Sequence, residues 1–400
     1  MYDLVVVGGG PSGAICARRA ALRGLNVAVF DKATFPRRKL CGGAVSPRVR
    51  EILDFDIHSA LEREIGVAVV YSPHGQRIVG VLPGVRGFMV RRERFDHILL
   101  EKAREAGAEV FEGVRVVGVE QLRSGIRVLG EGDSFNARFV VGADGVNSVV
   151  ARAVGLRRGW KPDYVGLCIA ADVKLPPDIV ESVTMDPETG QPAIELYLGA
   201  VKGGYGWLFP KRDEVSIGVG AKMSSKADLR NLWHRFTTDL EQTKGLKLDL
   251  SGRSAFRVPL GPPDGRLTRR RCIMVGDAAG LVSPVTGEGI YYALMSGIIA
   301  ADVVAEAVKR RNSLHVAEYD CRIADEVIGE LRVLRWLSNL IYRSKDNMER
   351  ACSLAAEDPV ARRLAMEFLI GLRPARAVRW ELIKRLARHY PLRSLRILVS

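Results

Sequence analysis

The sequence predicts an α/β fold: a Rossmann-type parallel-sheet domain, an antiparallel β-sheet domain inserted into it, and a C-terminal helical region. Three observations predict it. The first thirty-one residues alternate strand, glycine turn, helix and strand; residues 160–260 change to short strand-like runs joined by Gly and Pro; and from Gly289 onward only helical patterns follow.

The opening unit is the most informative. Leu4–Val7 is an apolar strand, Gly13–Leu22 a helix and Val27–Asp31 a second strand, together one β-α-β unit. Between strand and helix, Gly8, Gly10 and Gly13 form GxGxxG, with Ser12 inside the turn. Glycines there permit a tight turn and close backbone approach to a pyrophosphate, and the helix N-terminus supplies the positive end of its dipole. Asp31 ends the next strand, where a carboxylate takes the hydroxyls of an adenosine ribose, and Lys32 follows it. The motif, its flanking elements and the acidic residue are all in register for a dinucleotide.

Further along, RFDHILLEKAREAGAEV is helical at about 94–110, and Val-rich strands pass through Val116, Val128 and Val140. Strand segments at Val165–Val173, Ala193–Gly199 and Val215–Val219 suit an antiparallel sheet. A short apolar strand at Cys272–Val275 precedes GDAAG and restores the Rossmann-type pattern, so the first domain is discontinuous. The expected division is 1–60, 91–155 and 265–310 for the dinucleotide domain, 61–90 and 156–264 for the substrate domain, and 311–400 for the helical region. Helix breaks are expected near Asn312, Pro359, Pro374 and Pro391. Ile290–Val308 is apolar, yet it carries Asp302 and Glu306 and opens after a glycine-rich turn, which predicts a buried helix rather than a membrane span.

Composition narrows the classes. Four hundred residues exceed what one core usually serves, and 47% apolar with 26% charged residues is a globular balance. MYDLVVVG runs straight into a strand, so no secretory leader is expected and the chain is expected to start in the cytosol. Six scattered cysteines without a CxxC pair argue against zinc, an iron–sulfur cluster or a disulfide framework, and no metal site is expected. The net charge is +14, and residues 361–400 hold ten Arg or Lys against two acidic residues. A basic helix carrying Trp380, Leu382, Ile383 and Leu386 suits an anionic membrane surface or, equally, a solvated helix face. Nucleic acid is not expected, because no binding motif or aromatic platform accompanies the charge.

The late segment CIMVGDAAGLVSPVTGEGI decides between dinucleotides, since FAD spans further than its pyrophosphate turn and requires a second anchor. Asp277 follows a strand and is placed to accept hydrogen bonds from ribityl hydroxyls. Gly287–Gly289 then open a helix, beginning at Ile290, whose N–H groups suit the pyrimidine end of a flavin. With these residues the sequence resembles the FAD family of aromatic hydroxylases and geranylgeranyl reductases. That family's three fingerprints stand here as Gly8–Gly13, Asp144-Gly145 and Gly276-Asp277.

Further motifs carry the resemblance toward the geranylgeranyl reductases, over roughly residues 1–310. Arg92 in RRERFD matches an arginine that lies along the cofactor in the family, while Asp96 reads as an early-turn carboxylate of the helix. KLCGGAV places Cys41, Gly42, Gly43 and Ala44 in a loop that the resemblance sets beside the flavin, with a catalytic part for the cysteine. YGWLFP resembles the family's aromatic motif lining an isoprenoid pocket, and strand alternation puts Tyr205, Trp207 and Phe209 on one face. Where family members carry proline three residues before the tyrosine, this chain has Lys202.

The resemblance implies FAD held by Gly8, Gly10, Ser12, Gly13, Asp31, Lys32, Cys41, Gly42, Ala44, Arg92, Val116, Asp277, Gly289 and Ile290. It implies an archaeal-type reductase that saturates isolated double bonds of geranylgeranyl chains on membrane-lipid precursors, with Tyr205, Trp207 and Phe209 on the substrate and Cys41 in catalysis. Such an alkene needs a proton as well as a hydride, and a thiol is largely protonated at neutral pH. All six histidines lie outside the fingerprints. No second GxGxxG follows, so electrons are expected from transiently bound NAD(P)H or a small acidic ferredoxin-like carrier. The expected location is cytoplasmic or peripheral at the inner face of the membrane. An FAD monooxygenase shares the three fingerprints and is the nearest alternative. A flavin halogenase would require tryptophan at Tyr205 and isoleucine at Phe209, and a non-catalytic flavin carrier would need none of the substrate motifs.

Overall fold

The strand Tyr2–Val7 runs directly into the helix Pro11–Leu22 and returns as Val27–Asp31, parallel to the first. The computed structural model describes residues 1–389, the side chains of 386 and 387 excepted. Tyr2–Val7 also pairs in parallel with Ser134–Gly142, which pairs in parallel with Cys272–Met274, while Val27–Asp31 takes Glu109–Glu112 on its other side. Every residue of Val27–Asp31 is buried, as a strand covered on both faces must be. An antiparallel meander, Val116–Gln121 to Ile126–Gly130 to Ser134–Gly142, leads back into this sheet.

The helix Ile290–Lys309 is long and apolar enough to cross a membrane by length and composition, but twelve of its twenty residues are buried, chiefly against the first helix and the helical segments that follow. Its approach to that helix is set at Gly297, where a Cβ would lie 2.3 Å from the Ser12 carbonyl oxygen. Its acidic residues are accommodated outside the core. Asp302 accepts from Arg19 at 2.9 Å and lies 2.7 Å from Arg23, and Glu306 pairs with Arg322 at 2.7 Å and His315 at 2.9 Å.

The second sheet runs Ser254–Pro259, Val165–Lys174, Glu214–Lys222, Gly204–Pro210, Gln191–Leu198, each antiparallel to the next. Val67–Tyr71 and Arg77–Val81 complete it as a hairpin, but Val67–Tyr71 joins Gln191–Leu198 in parallel. The sheet expected to be antiparallel is therefore mixed. Its odd pair joins segments far apart in sequence, and without a hairpin between them nothing forces opposite directions. Residues 61–90 thus divide: the central hairpin joins the large sheet, while Leu61–Ile65 and Gly87–Val90 form a three-stranded sheet with Ala44–Val45. The helix Leu229–Lys244, capped by Asp228 and ended by Gly245 at φ 64°, packs Trp233, Phe236 and Leu240 against Leu208, Ile217 and Val219. Only one face of this sheet is closed by that helix.

Between Lys309 and His389 the chain is helical, with Gly329–Ile341, Lys345–Glu357, Pro359–Leu369 and Ala375–His389 as the principal pieces. Pro359 opens a helix capped by Asp358, as its position after a break requires. Another break, at 342–344, carries neither Gly nor Pro; Ser344 marks it by capping the helix that follows. Met366 reaches back to the second sheet, where a Cβ at Gly80 would meet its sulfur at 2.1 Å. All six cysteines are free. Trp380 is exposed, whereas the side chain of Leu386 and the break expected at Pro391 fall outside the described residues.

A methyl group at Gly297 must push the long helix off the first one. Gly297→Ala is expected to lower the unfolding free energy by about 1–3 kcal/mol, with the denaturant slope unchanged. Equilibrium urea unfolding of the two proteins checks this.

Candidate active site

A cavity of ≈ 770 Å³ lies between the C-terminal ends of the parallel strands and the open face of the second sheet. Of the residues singled out from sequence, Gly8, Gly10, Ser12, Asp31, Lys32, Cys41, Gly42, Ala44, Arg92, Val116, Asp277, Gly289, Ile290, Tyr205, Trp207 and Phe209 all line it. Gly13 does not, and its place is steric: a Cβ there would lie 1.8 Å from the Gly8 carbonyl oxygen. Gly8 itself has φ 106° and a Cβ would meet the Ala143 carbonyl at 2.4 Å.

At this end the helix Pro11–Leu22 begins after Gly10 with proline in its first turn and no side-chain cap. Its first N–H groups are therefore left for an anion. Asp31 braces the turn, accepting from Gly9 N–H at 2.7 Å and Ala33 N–H at 2.8 Å, and each oxygen retains a second lone pair for a ligand. Lys32, Arg115 and Val116 line the cavity as well.

Asp96 corrects the sequence reading. It is fully buried and grips Arg92 through two bonds, Nε at 2.8 Å and Nη2 at 2.9 Å, while Arg37 reaches the same carboxylate at 3.1 Å. The sequence predicts a carboxylate serving the helix dipole at that position; two guanidiniums hold it inward instead. Burial opposes the charge of Arg92, and Asp96 and Cys41 together overcome that and hold its pKa above the usual range. Arg92 thus stands near the Cys41 loop on the cavity wall.

That loop is pressed flat. A Cβ at Gly42 would sit 2.8 Å from the Phe209 ring, and one at Gly43, at φ 79°, 2.4 Å from the Val90 carbonyl oxygen. The aromatic residues follow from the register of the second sheet. Tyr205, Trp207 and Phe209 lie opposite Gly220, Gly218 and Ser216, so that large rings cross a track of small residues. The Trp207 ring takes the space of a side chain at Gly218, where a Cβ would be 2.0 Å away. Successive ring centroids are 6.1 and 6.4 Å apart, one continuous apolar wall. Its indole Nε1 is buried without a hydrogen-bond partner among the described residues. Tyr205 donates to the Thr286 carbonyl; burial, with Tyr342, Cys168 and Cys41 near, keeps its phenol protonated far above the usual range. Cys168, not marked from sequence, lines the same cavity, and burial beside Cys41 pushes its thiol up to about 12.

The late fingerprint sits across from the wall. Gly276, at φ 53°, abuts Ser12 and donates its N–H to Ser296 at 3.0 Å, and Asp277 follows on the cavity side. The long helix begins at Gly289 without a side-chain cap, a second bare N-terminus on the cavity. Asp144 of the central fingerprint accepts from Val149 and Val150 N–H at 2.7 and 3.2 Å; its other oxygen is buried without a partner, and burial raises its pKa. Glu288, also missed, lies between the two glycines of the turn. Its Oε1 is buried and unpartnered, and burial pushes the carboxyl up from 4.5 to about 7, with Arg48 pulling down and Glu330 pushing up.

A glycine turn on a parallel sheet, two uncapped helix N-termini and an aromatic-walled second sheet around one cavity define an FAD-dependent oxidoreductase. Residues 1–322 match the FAD binding domain family. Geranylgeranyl diphosphate reductase of Rhodobacter capsulatus is 34% identical over 372 residues, 90% of each chain. Digeranylgeranylglycerophospholipid reductase 1 of Methanococcoides burtonii is 30% identical over 320 residues, 77% of this chain and 75% of that one. The fold is shared with the crystal structure of a geranylgeranyl bacteriochlorophyll reductase-like protein from Thermoplasma acidophilum, with a TM-score of 0.80 at 23% identity over 99% of this chain and 98% of that one. The chain belongs to the FAD-binding domain family and, within it, to the geranylgeranyl reductases, and its cofactor is FAD.

The raised Glu288 carboxyl makes stability depend on pH. In the folded state it holds its proton up to about 7, so between about 4.5 and 7 the folded chain binds more protons than the unfolded one, and stability falls as pH rises through that window. Glu288→Gln removes this loss. Its melting temperature relative to the unsubstituted protein is expected to climb from pH 5 to pH 8, measured by thermal unfolding at matched salt.

Proposed function

We propose that the protein is a reductase that saturates the C=C bonds of geranylgeranyl chains on archaeal-type membrane-lipid precursors. One observation carries the reading: the Tyr205–Trp207–Phe209 wall and the Cys41–Gly42 loop touch each other inside the cavity that begins at the dinucleotide turn. The names of the two relatives differ in headgroup, diphosphate against glycerophospholipid, and share the geranylgeranyl chain.

FAD fits the chain's own residues. The backbone at Gly8, Gly10 and Gly13 bears no side chain of its own to hold off a pyrophosphate, and the bare helix start at Pro11 offers N–H groups to it. Asp31 has lone pairs left for ribose hydroxyls, with Lys32 and Val116 alongside; Arg92 and Ala44 would lie along the cofactor, and Asp277 would take the ribityl hydroxyls. Gly289 and Ile290, at the second bare helix start, would face the pyrimidine end. Reduced FAD, when bound, supplies hydride to one alkene carbon.

The protein's part is then to hold the chain, exclude water and bring a proton to the other carbon. The aromatic wall gives an apolar bed and keeps water from the reacting bond. Cys41, in the loop between the wall and Arg92, is the residue we assign to the proton, since an isolated trisubstituted alkene accepts hydride poorly without it. Electrons come from NAD(P)H or a ferredoxin-like carrier. The protein works in the cytoplasm and touches the membrane peripherally through its basic C-terminal helices, where Trp380 is exposed.

Anaerobically reduced protein given a geranylgeranylated glycerophospholipid is expected to raise lipid mass in two-hydrogen steps while the flavin reoxidises. Cys41→Ala is expected to slow turnover by roughly 10²-fold or more at unchanged flavin content. Unchanged lipid, with reoxidation only when air is admitted, would point to a monooxygenase instead.

A further inference from the structure

The aromatic wall ends on a positive charge. Along the strand Glu214–Lys222, Ser216, Gly218 and Gly220 lie opposite Phe209, Trp207 and Tyr205, and the same face of the pleat carries Lys222 next, which with Gly220 lines the cavity. Six residues of strand separate Ser216 from Lys222, about 20 Å. Lys222 therefore stands at the opposite end of the wall from the Cys41–Gly42 loop, which packs against Phe209.

Nothing of opposite charge holds it. The Lys222 ammonium donates to the neutral Asn339 Oδ1 at 3.1 Å, and a second cation, Arg335, lies one turn away on the same helix as Asn339. Arg335 uses its terminal nitrogens on two carbonyls, Asp163 at 2.8 Å and Leu260 at 2.5 Å, and leaves its Nε buried without a partner. Among the described residues neither cation makes an ion pair; the Arg335 guanidinium lies over the Tyr164 ring at 4.5 Å, and the nearby carboxylate of Asp163 is exposed and acts only at a distance. Burial and Arg335 push the Lys222 ammonium down to about 8, against the pull of Asp163, as expected for a charge short of a counter-ion. Lys202 is exposed on the hairpin whose Gly203 lies beside Lys222 in the cavity wall.

We propose that Lys222, backed by Arg335, is the anion subsite that receives the phosphate of the prenyl substrate, with the chain laid from there along the aromatic wall. This rests on the geranylgeranyl reading above and adds to it the headgroup's charge and the direction in which the substrate lies. A phosphate there supplies Lys222 with the counter-charge it lacks through a charge-assisted bond, and the nearby charge of Arg335 adds to the attraction. An uncharged prenyl alcohol keeps the wall and forfeits this bond.

The test uses the FAD-loaded, oxidised protein and reads binding through flavin fluorescence, with no turnover required. Geranylgeranyl diphosphate, a geranylgeranylated glycerophospholipid and geranylgeraniol are titrated separately into the protein, Lys222→Gln and Lys222→Arg. Lys222→Gln is expected to reduce the preference of a phosphate-bearing ligand over the alcohol roughly tenfold or more, and Lys222→Arg to retain most of it. Whichever phosphate ligand loses its advantage identifies the headgroup. Ratios unchanged in Lys222→Gln for both overturn the proposal. Should the reduced protein saturate none of these chains, the reductase reading falls, while the binding ratios still decide the role of Lys222.

Discussion

Two glycines close on Ser12, and a third closes the turn that carries it. Gly13 closes on the Gly8 carbonyl, Gly276 lies against the Ser12 hydroxyl, and Gly297 against the Ser12 carbonyl. A side chain at any of them would collide with backbone or with a short, enclosed side chain. Through this knot the nucleotide turn, the late fingerprint and the long core helix are brought within bonding distance, and every other part of the cavity is measured from it. Asp277 and the bare start of the long helix face the glycine turn because the helix can approach no other way. The second sheet contributes its wall to a frame already fixed by that contact.

The parts of the fold visible in sequence are those governed by short-range rules. GxGxxG, the two flanking strands and Asp31 lie within thirty-one residues, and the alternation of Tyr205, Trp207 and Phe209 follows from strand period alone. What escaped depends on partners far along the chain. Asp96 looks like a helix-terminal carboxylate until Arg37 arrives from another segment and draws it under cover. The track of Ser216, Gly218 and Gly220 is plain in the sequence, yet it has meaning only beside the aromatic strand that uses it. The parallel pairing of Val67–Tyr71 had no local signal at all. Glu288 and Lys222 were invisible as site residues because a single charged residue in a turn or at a strand end has many ordinary explanations.

Charge is distributed through the cavity in a way that follows from these placements. Near the nucleotide turn, Arg37 and Arg92 share one buried carboxylate, so two cations are held by a single negative group. Buried pairs of this kind add little to stability over an apolar replacement, but removing one partner strands the others, which fixes the helix and the cysteine loop in one arrangement. The middle of the cavity is apolar and aromatic, with phenol and thiol groups that burial keeps neutral. A long hydrocarbon with polar ends is the shape such a profile complements.

The hairpin of Val67–Tyr71 and Arg77–Val81 has a consequence for how the protein comes into being. It leaves the ribosome early, but its partner strand Gln191–Leu198 emerges more than a hundred residues later, and the helix that packs on Gly80 later still. The chain therefore carries an unpaired strand edge through most of its synthesis, and the first domain cannot be finished and set aside before the rest appears. Such interlacing raises the mean sequence separation of contacts, slows the closing steps and leaves apolar edges open in the meantime. Nascent chains of this protein should depend on holding factors until residues near 370 have been made, and truncation at a seemingly safe domain boundary would leave that edge without its cover.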